Sequence, residues 1–202
     1  MEARISASGV FSVVDNERDF SDIRDKAQEM QDAIKILASK GIINGTSATE
    51  FSPDDTITRA QIAALIVRML SVLDPNADGG FADVTPANWY FGTAGSSRRH
   101  GIISGFEDNT FRGDVNIPKD QIFVVSSRVL KTEMNYRVPA NTAAYLDYTD
   151  ADSIAGWARE DIALATMANM VVMRTDGRFV PDEQMTRGDA AIVMFRLFQK
   201  IW

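Results

Sequence analysis

Apolar positions along the chain recur at helical spacing in three places. Ile62, Leu65, Ile66, Met69 and Leu70 fall at i, i+3, i+4, i+7 and i+8, so one face of a helix is apolar there. Ile122, Val125, Val129 and Leu130 repeat the stripe, and Val193, Met194, Leu197 and Phe198 repeat it again. A shorter helix is predicted upstream of each stripe, carried by Ile34, Leu37 and Ala38 in the first case and by Trp157, Ile162 and Ala165 in the third. Gly41 and Gly101 stop the first two of these short helices, with Asn169 at the same register in the third. Only the opening stretch, Ala3 to Asp15, reads as a turn plus a short strand. It is expected to be an N-terminal extension (1–19), the remnant of an upstream domain.

The helix pairs are copies of one unit. Gly41-Ile42-Ile43-Asn44-Gly45 returns as Gly101-Ile102-Ile103-Ser104-Gly105, and 11 of the 30 positions from 41 to 70 match those 60 residues on, too many for unrelated segments. Among the matches is Arg68 with Arg128, and Arg196 continues that series. Phe51-Ser52-Pro53-Asp54 returns as Phe179-Val180-Pro181-Asp182, and Thr58-Arg59 as Thr186-Arg187. Each unit opens on an aromatic-x-Asp triplet: Phe20-Ser21-Asp22, Phe81-Ala82-Asp83 and Tyr148-Thr149-Asp150. The repeats run 20–73, 81–132 and 148–202, with linkers 74–80 and 133–147. One helix pair cannot bury its own stripe, so the fold class expected is all-α, with three helix-loop-helix repeats in a pseudo-threefold arrangement around a shared core.

Composition narrows the chemistry. With 21 basic and 28 acidic residues in 202, the net charge of −7 opposes a broad nucleic-acid footprint or loose adsorption to anionic membranes. No window is long and apolar enough to span a bilayer. The first residues lack the apolar core of a signal peptide, so an extracellular protein would here be a processed form or a fragment. Cysteine is absent, which excludes disulfides, thiolate metal sites and cysteine nucleophiles. A single histidine, His100, makes a histidine-based triad or metal site a poor reading and fits an exposed helix end. Asp74-x-Asn76-x-Asp78-Gly79 matches half of a calcium loop, but Thr85 stands where a bidentate glutamate is needed, so no metal and no cofactor are expected.

The second helices open unusually. Thr58 and Gln61 make a capping box, Thr186 and Asp189 a weaker one, and Pro118 replaces the cap in the middle repeat. Arg59, Lys119 and Arg187 stand at the first helical position, where the helix dipole disfavours a cation by about 0.3–1 kcal/mol. Two readings stay open. Each cation pairs with acids of the preceding turn (Asp54 and Asp55, or Asp182 and Glu183), or it joins free N–H groups in an anion-binding corner.

Taken together, aromatic-x-Asp, Gly-Ile-Ile-x-Gly, Phe-x-Pro-Asp and Thr-Arg-Ala-Gln resemble the S-layer homology repeat, and three in tandem cover 20 to 198. The resemblance implies a three-pronged helical spindle. It also implies a non-catalytic, extracellular module that anchors a bacterial surface protein to the Gram-positive wall. Its partner would be an anionic secondary cell wall polysaccharide bearing a pyruvate-ketal sugar. The family's arginine, carried onto Arg59 and Arg187 and replaced by Lys119, would grip the ketal carboxylate. Gly45 and Gly105 read both as left-handed turns and as points of close approach to a sugar. Trp89 and Trp157 read as core residues or as a sugar-stacking face. Asp22, Asp83 and Asp150 read as helix caps or as acceptors of sugar hydroxyls.

Three grooves between repeats are expected. Arg59 and Gly45 would face Trp89 in the first, and Lys119 and Gly105 would face Trp157 in the second. Arg187 would face Met173 and Glu29 in the third. The first would then be the tightest and the third empty. The rival readings are a helical protein-interaction scaffold in S-layer assembly, which has no need of three cationic corners, and a glycosidase, for which no carboxylate pair stands out.

Overall fold

A computed structural model describes residues 16–202. The strand expected before Asp15 lies outside the described residues. Six helices follow in order: α1 (Gln28–Ser39), α2 (Arg59–Met69), α3 (Phe91–Arg99), α4 (Lys119–Met134), α5 (Arg159–Met167) and α6 (Arg187–Ile201). Short 3-10 turns at Ser21–Ile23, Thr142–Tyr145 and Ala151–Ser153 complete the regular structure. No strand occurs among the described residues, only isolated bridges, so the chain is all-α as the periodicity requires.

The helix stops are those the sequence marks. Gly41, Gly101 and Asn169 have φ of 68°, 66° and 56°, and the next amide reaches back to close the last turn, as from Ile42 N to Leu37 O at 2.9 Å. His100 is the exposed end of α3.

Helices pair across repeats rather than within them. α3 packs on α2, α5 on α4, and α1 on α6, so the first and last repeats also join. At the centre, three bridges close a ring: Thr58 with Asn116, Pro118 with Gln184, and Thr186 with Thr56. Each repeat therefore hands its second-helix start to the loop of the next, and the third hands back to the first. This is the pseudo-threefold arrangement expected, with three helix pairs as prongs. The stripe residues Ile62, Ile66, Ile122, Val129, Met194 and Leu197 are buried in one continuous core.

An aromatic pair recurs in every repeat: Phe20 with Phe51, Phe81 with Phe111, and Tyr148 with Phe179, ring centres 5.2–5.7 Å apart. The residue after the second aromatic is left-handed each time, with φ of 58° at Ser52, 56° at Arg112 and 55° at Val180. For a β-branched valine this conformation costs about 1–2 kcal/mol. The aromatic-x-Asp aspartates hold it in place. Asp22 accepts from Phe51 N and Ser52 N, Asp83 from Phe111 N and Arg112 N, and Asp150 from Phe179 N and Val180 N, at 2.7–3.1 Å. These aspartates are loop clamps. They do not cap the following helices, none of which has a side-chain cap.

Candidate functional site

The first two N–H groups of each second helix are occupied by backbone carbonyls. Arg59 N and Ala60 N donate to Val115 O and Gly113 O, Lys119 N and Asp120 N to Glu183 O and Pro181 O, and Arg187 N and Gly188 N to Asp55 O and Pro53 O, all at 2.8–3.0 Å. Thr58 and Gln61 complete the capping box, Thr186 accepts from Asp189 N, and Asp120 accepts from Gln121 N. The expected corner of free N–H groups is therefore absent. These donors make the central ring, and any anion chemistry belongs to the side chains.

Those side chains cross into the neighbouring repeat. Arg59 lies over Phe111 (5.7 Å) and Phe106 (4.8 Å), Lys119 over Phe179 (5.1 Å), and Arg187 over Phe51 (4.6 Å). All three are buried, 7–8% exposed. The groove assignment must be corrected by one step around the ring. The glycine–tryptophan pairings hold, but Arg187, not Arg59, faces Gly45 and Trp89 in the first groove. Arg59, not Lys119, faces Gly105 and Trp157 in the second. Lys119, not Arg187, enters the third.

The first groove, about 310 Å³, joins Arg187, Arg68, Gln61, Gly45 and Trp89. Arg187 donates to Phe51 O (3.0 Å) and Asn44 O (2.9 Å), so much of its fork is bound to the chain itself. Burial lowers its pKa, while Asp55 and Asp22 act in the opposite direction.

The second groove, about 170 Å³, joins Arg59, Arg128, Gln121, Gly105, Phe106 and Trp157. Among the described residues Arg59 donates once, from Nη1 to Gln121 Oε1 at 2.9 Å, and its buried Nε has no partner there. Burial, then the charges of Arg128 and Arg112, pull the Arg59 pKa down to about 10. The group still carries its charge at neutral pH, beside like charges.

The third groove, about 200 Å³, contains its own counter-ions. Lys119 pairs with Glu183 at 3.2 Å, and Arg174 bridges Glu183 and Asp176. Asp189 also lines the groove. Arg196, the counterpart of Arg68 and Arg128, pairs with Glu29 at 2.6 Å. Lys119 thus has an acid partner, but in the loop of the next repeat; among the described residues none of the three cations pairs with the turn before its own helix.

Both tryptophans are 60% exposed, so they belong to groove walls and not to the core. Gly105 has φ of 84° and is a left-handed turn, whereas Gly45 is not. A side chain on Gly45 would instead meet Phe20 at 2.5 Å and the carbonyls of Ser47 and Glu50 at 2.6 Å. Met173, at the third glycine position, is exposed. Arg68 and Arg128 line the first two grooves but were not among the site residues named from the sequence, although one arginine repeated in the apolar stripes signals them. Asp74 and Asp78 hold turns by accepting from Asn76 N and Gly80 N, and no acidic or histidine cluster suited to a metal occurs among the described residues. No described helix is long and apolar enough to cross a membrane.

The family model for the S-layer homology domain matches residues 19–63, 80–121 and 147–191. An amylopullulanase of Thermoanaerobacterium thermosulfurigenes is 30% identical over 94% of the chain, and an endoglucanase of Bacillus sp. (strain KSM-635) is 30% identical over 90%. The surface-layer 125 kDa protein of Lysinibacillus sphaericus is 24% identical over 91%. The chain spans only 10%, 19% and 15% of these relatives' respective lengths.

Proposed function

Since the chain belongs to the S-layer homology family, whose modules anchor surface proteins to the cell wall and are not themselves catalytic, we propose that it tethers a larger extracellular protein by binding an anionic wall polysaccharide. The carboxylate of a pyruvate-ketal sugar is the group recognised, and the second groove is the principal site. The observation that carries this reading is Arg59: a buried guanidinium with an unpartnered Nε, flanked by two further arginines. An entering carboxylate supplies a counter-charge to Arg59 and Arg128, the two cations that line the groove, whereas Arg112 already pairs with Asp108 at 2.7 Å. Trp157 offers an exposed ring beside them for the apolar face of a sugar. The first groove is a second, weaker site, because its arginine is already bonded to two carbonyls. The third is self-neutralised and takes no anion.

Calorimetric titration with purified wall polysaccharide and its acid-depyruvylated form tests the charge requirement. Native polymer is expected to bind at least tenfold more tightly, as a charge-assisted pair worth about 1.5–3 kcal/mol requires. Equal affinities would refute the carboxylate reading.

A further inference from the structure

The residue at the third position of each second helix stands in its groove, a glutamine in two repeats and an aspartate in the third. Gln61 lines the first groove, Gln121 the second and Asp189 the third. The two glutamines do different work. Gln61 Oε1 accepts from Thr58 N at 3.0 Å, which closes the capping box and commits its carbonyl to the backbone. The residue at the same place before Gln121 is Pro118, which has no N–H to offer. The backbone there is otherwise the same, with φ −73° and ψ 158° against −88° and 163° at Thr58. Gln121 Oε1 turns instead to Arg59 Nη1 at 2.9 Å.

We propose that Gln121, released from capping by Pro118, is the specificity-determining residue of the second groove: it orients the Arg59 guanidinium while leaving its charge uncompensated for an anionic sugar. The inference rests on the reading of that groove as the carboxylate site. A neutral amide suits this role because it accepts the hydrogen bond that fixes the fork yet adds no negative charge, and its NH₂ remains as a further donor. A glutamate there would fix the fork equally well and supply the counter-ion itself, as Glu183 does for Lys119 in the third groove.

Three variants separate the possibilities: Gln121→Glu, Pro118→Thr and Arg59→Ala. Each is titrated with native and acid-depyruvylated wall polysaccharide, and each is checked for folding by thermal melting. Gln121→Glu is expected to bind native polymer at least tenfold more weakly and to lose most of the preference for native over depyruvylated polymer. Pro118→Thr restores an N–H and a cap, so it is expected to raise Tm while weakening binding severalfold, because Gln121 is drawn back to the helix start. A merely structural role for these residues would move stability and affinity together. If Arg59→Ala loses binding while both other variants bind native polymer like the parent chain, the role of Gln121 is overturned and the groove reading stands. If Arg59→Ala binds native polymer unchanged, the groove reading fails and the inference falls with it.

Discussion

Arg59→Ala should lower the affinity for native wall polysaccharide by about 10- to 100-fold, from the loss of a charge-assisted hydrogen-bonded contact worth about 1.5–3 kcal/mol. Folding should change less than for Arg187, since among the described residues its guanidinium gives up one hydrogen bond, to Gln121. Arg187→Ala makes the contrast. That guanidinium satisfies Phe51 O and Asn44 O, so its removal orphans two carbonyls in the loop that builds the first groove. The Arg187 variant should therefore lose more stability and less affinity than the Arg59 variant. Titration calorimetry beside urea unfolding distinguishes the two. Equal affinity losses would contradict the ranking of the grooves.

The largest stability effect is expected at Asp150→Ala, roughly 3 kcal/mol, a substantial fraction of the stability of an ordinary domain. Its carboxylate accepts from the N–H groups of Phe179 and Val180, and Phe179 is fully buried, so the variant leaves a donor without acceptor or water. It also leaves Val180 at φ 55° without the bond that holds it there. Burial opposes the charge of Asp150, but the two N–H bonds, with a smaller contribution from Arg178, outweigh it and keep the carboxyl below its ordinary value. A depressed carboxyl pKa stabilises the fold above the unfolded-state value, near 4, and that contribution fades as pH falls through the folded value. The gap in urea midpoint between parent and variant should therefore be full at pH 7 and narrow below about pH 4. A gap that is absent at pH 7 would show that the clamp contributes nothing.

The helices and their limits were legible because they depend on local rules. The stripes need only 3.6-residue periodicity, and the stops at Gly41, Gly101 and Asn169 need only a residue that tolerates positive φ. The Thr58–Gln61 box lies within four residues and was equally plain. The arginine assignments were not legible. In a ring of three similar units a side chain at a helix start has two neighbouring grooves, and the sequence pattern is the same for either. Only the packing of Arg59 over Phe106 and Phe111 of the next repeat decides it. The aspartate clamps were missed for a related reason: their partners lie 28 to 30 residues away, while a helix start lies close by. Gly45 was read as a turn because glycine serves both for positive φ and for lack of a side chain, and here the second need holds. Trp89 and Trp157 sit just before their helices, where an aromatic residue can turn either inward or outward, and burial alone settles the direction.

A crystal structure of the chain soaked with a pyruvate-ketal monosaccharide tests the central claim most directly. The account predicts a ligand in the second groove, its carboxylate within hydrogen-bond distance of Arg59 and Arg128 and its ring against Trp157. A ligand seated beside Lys119 and Arg174 in the third groove, with the second groove empty, would contradict it.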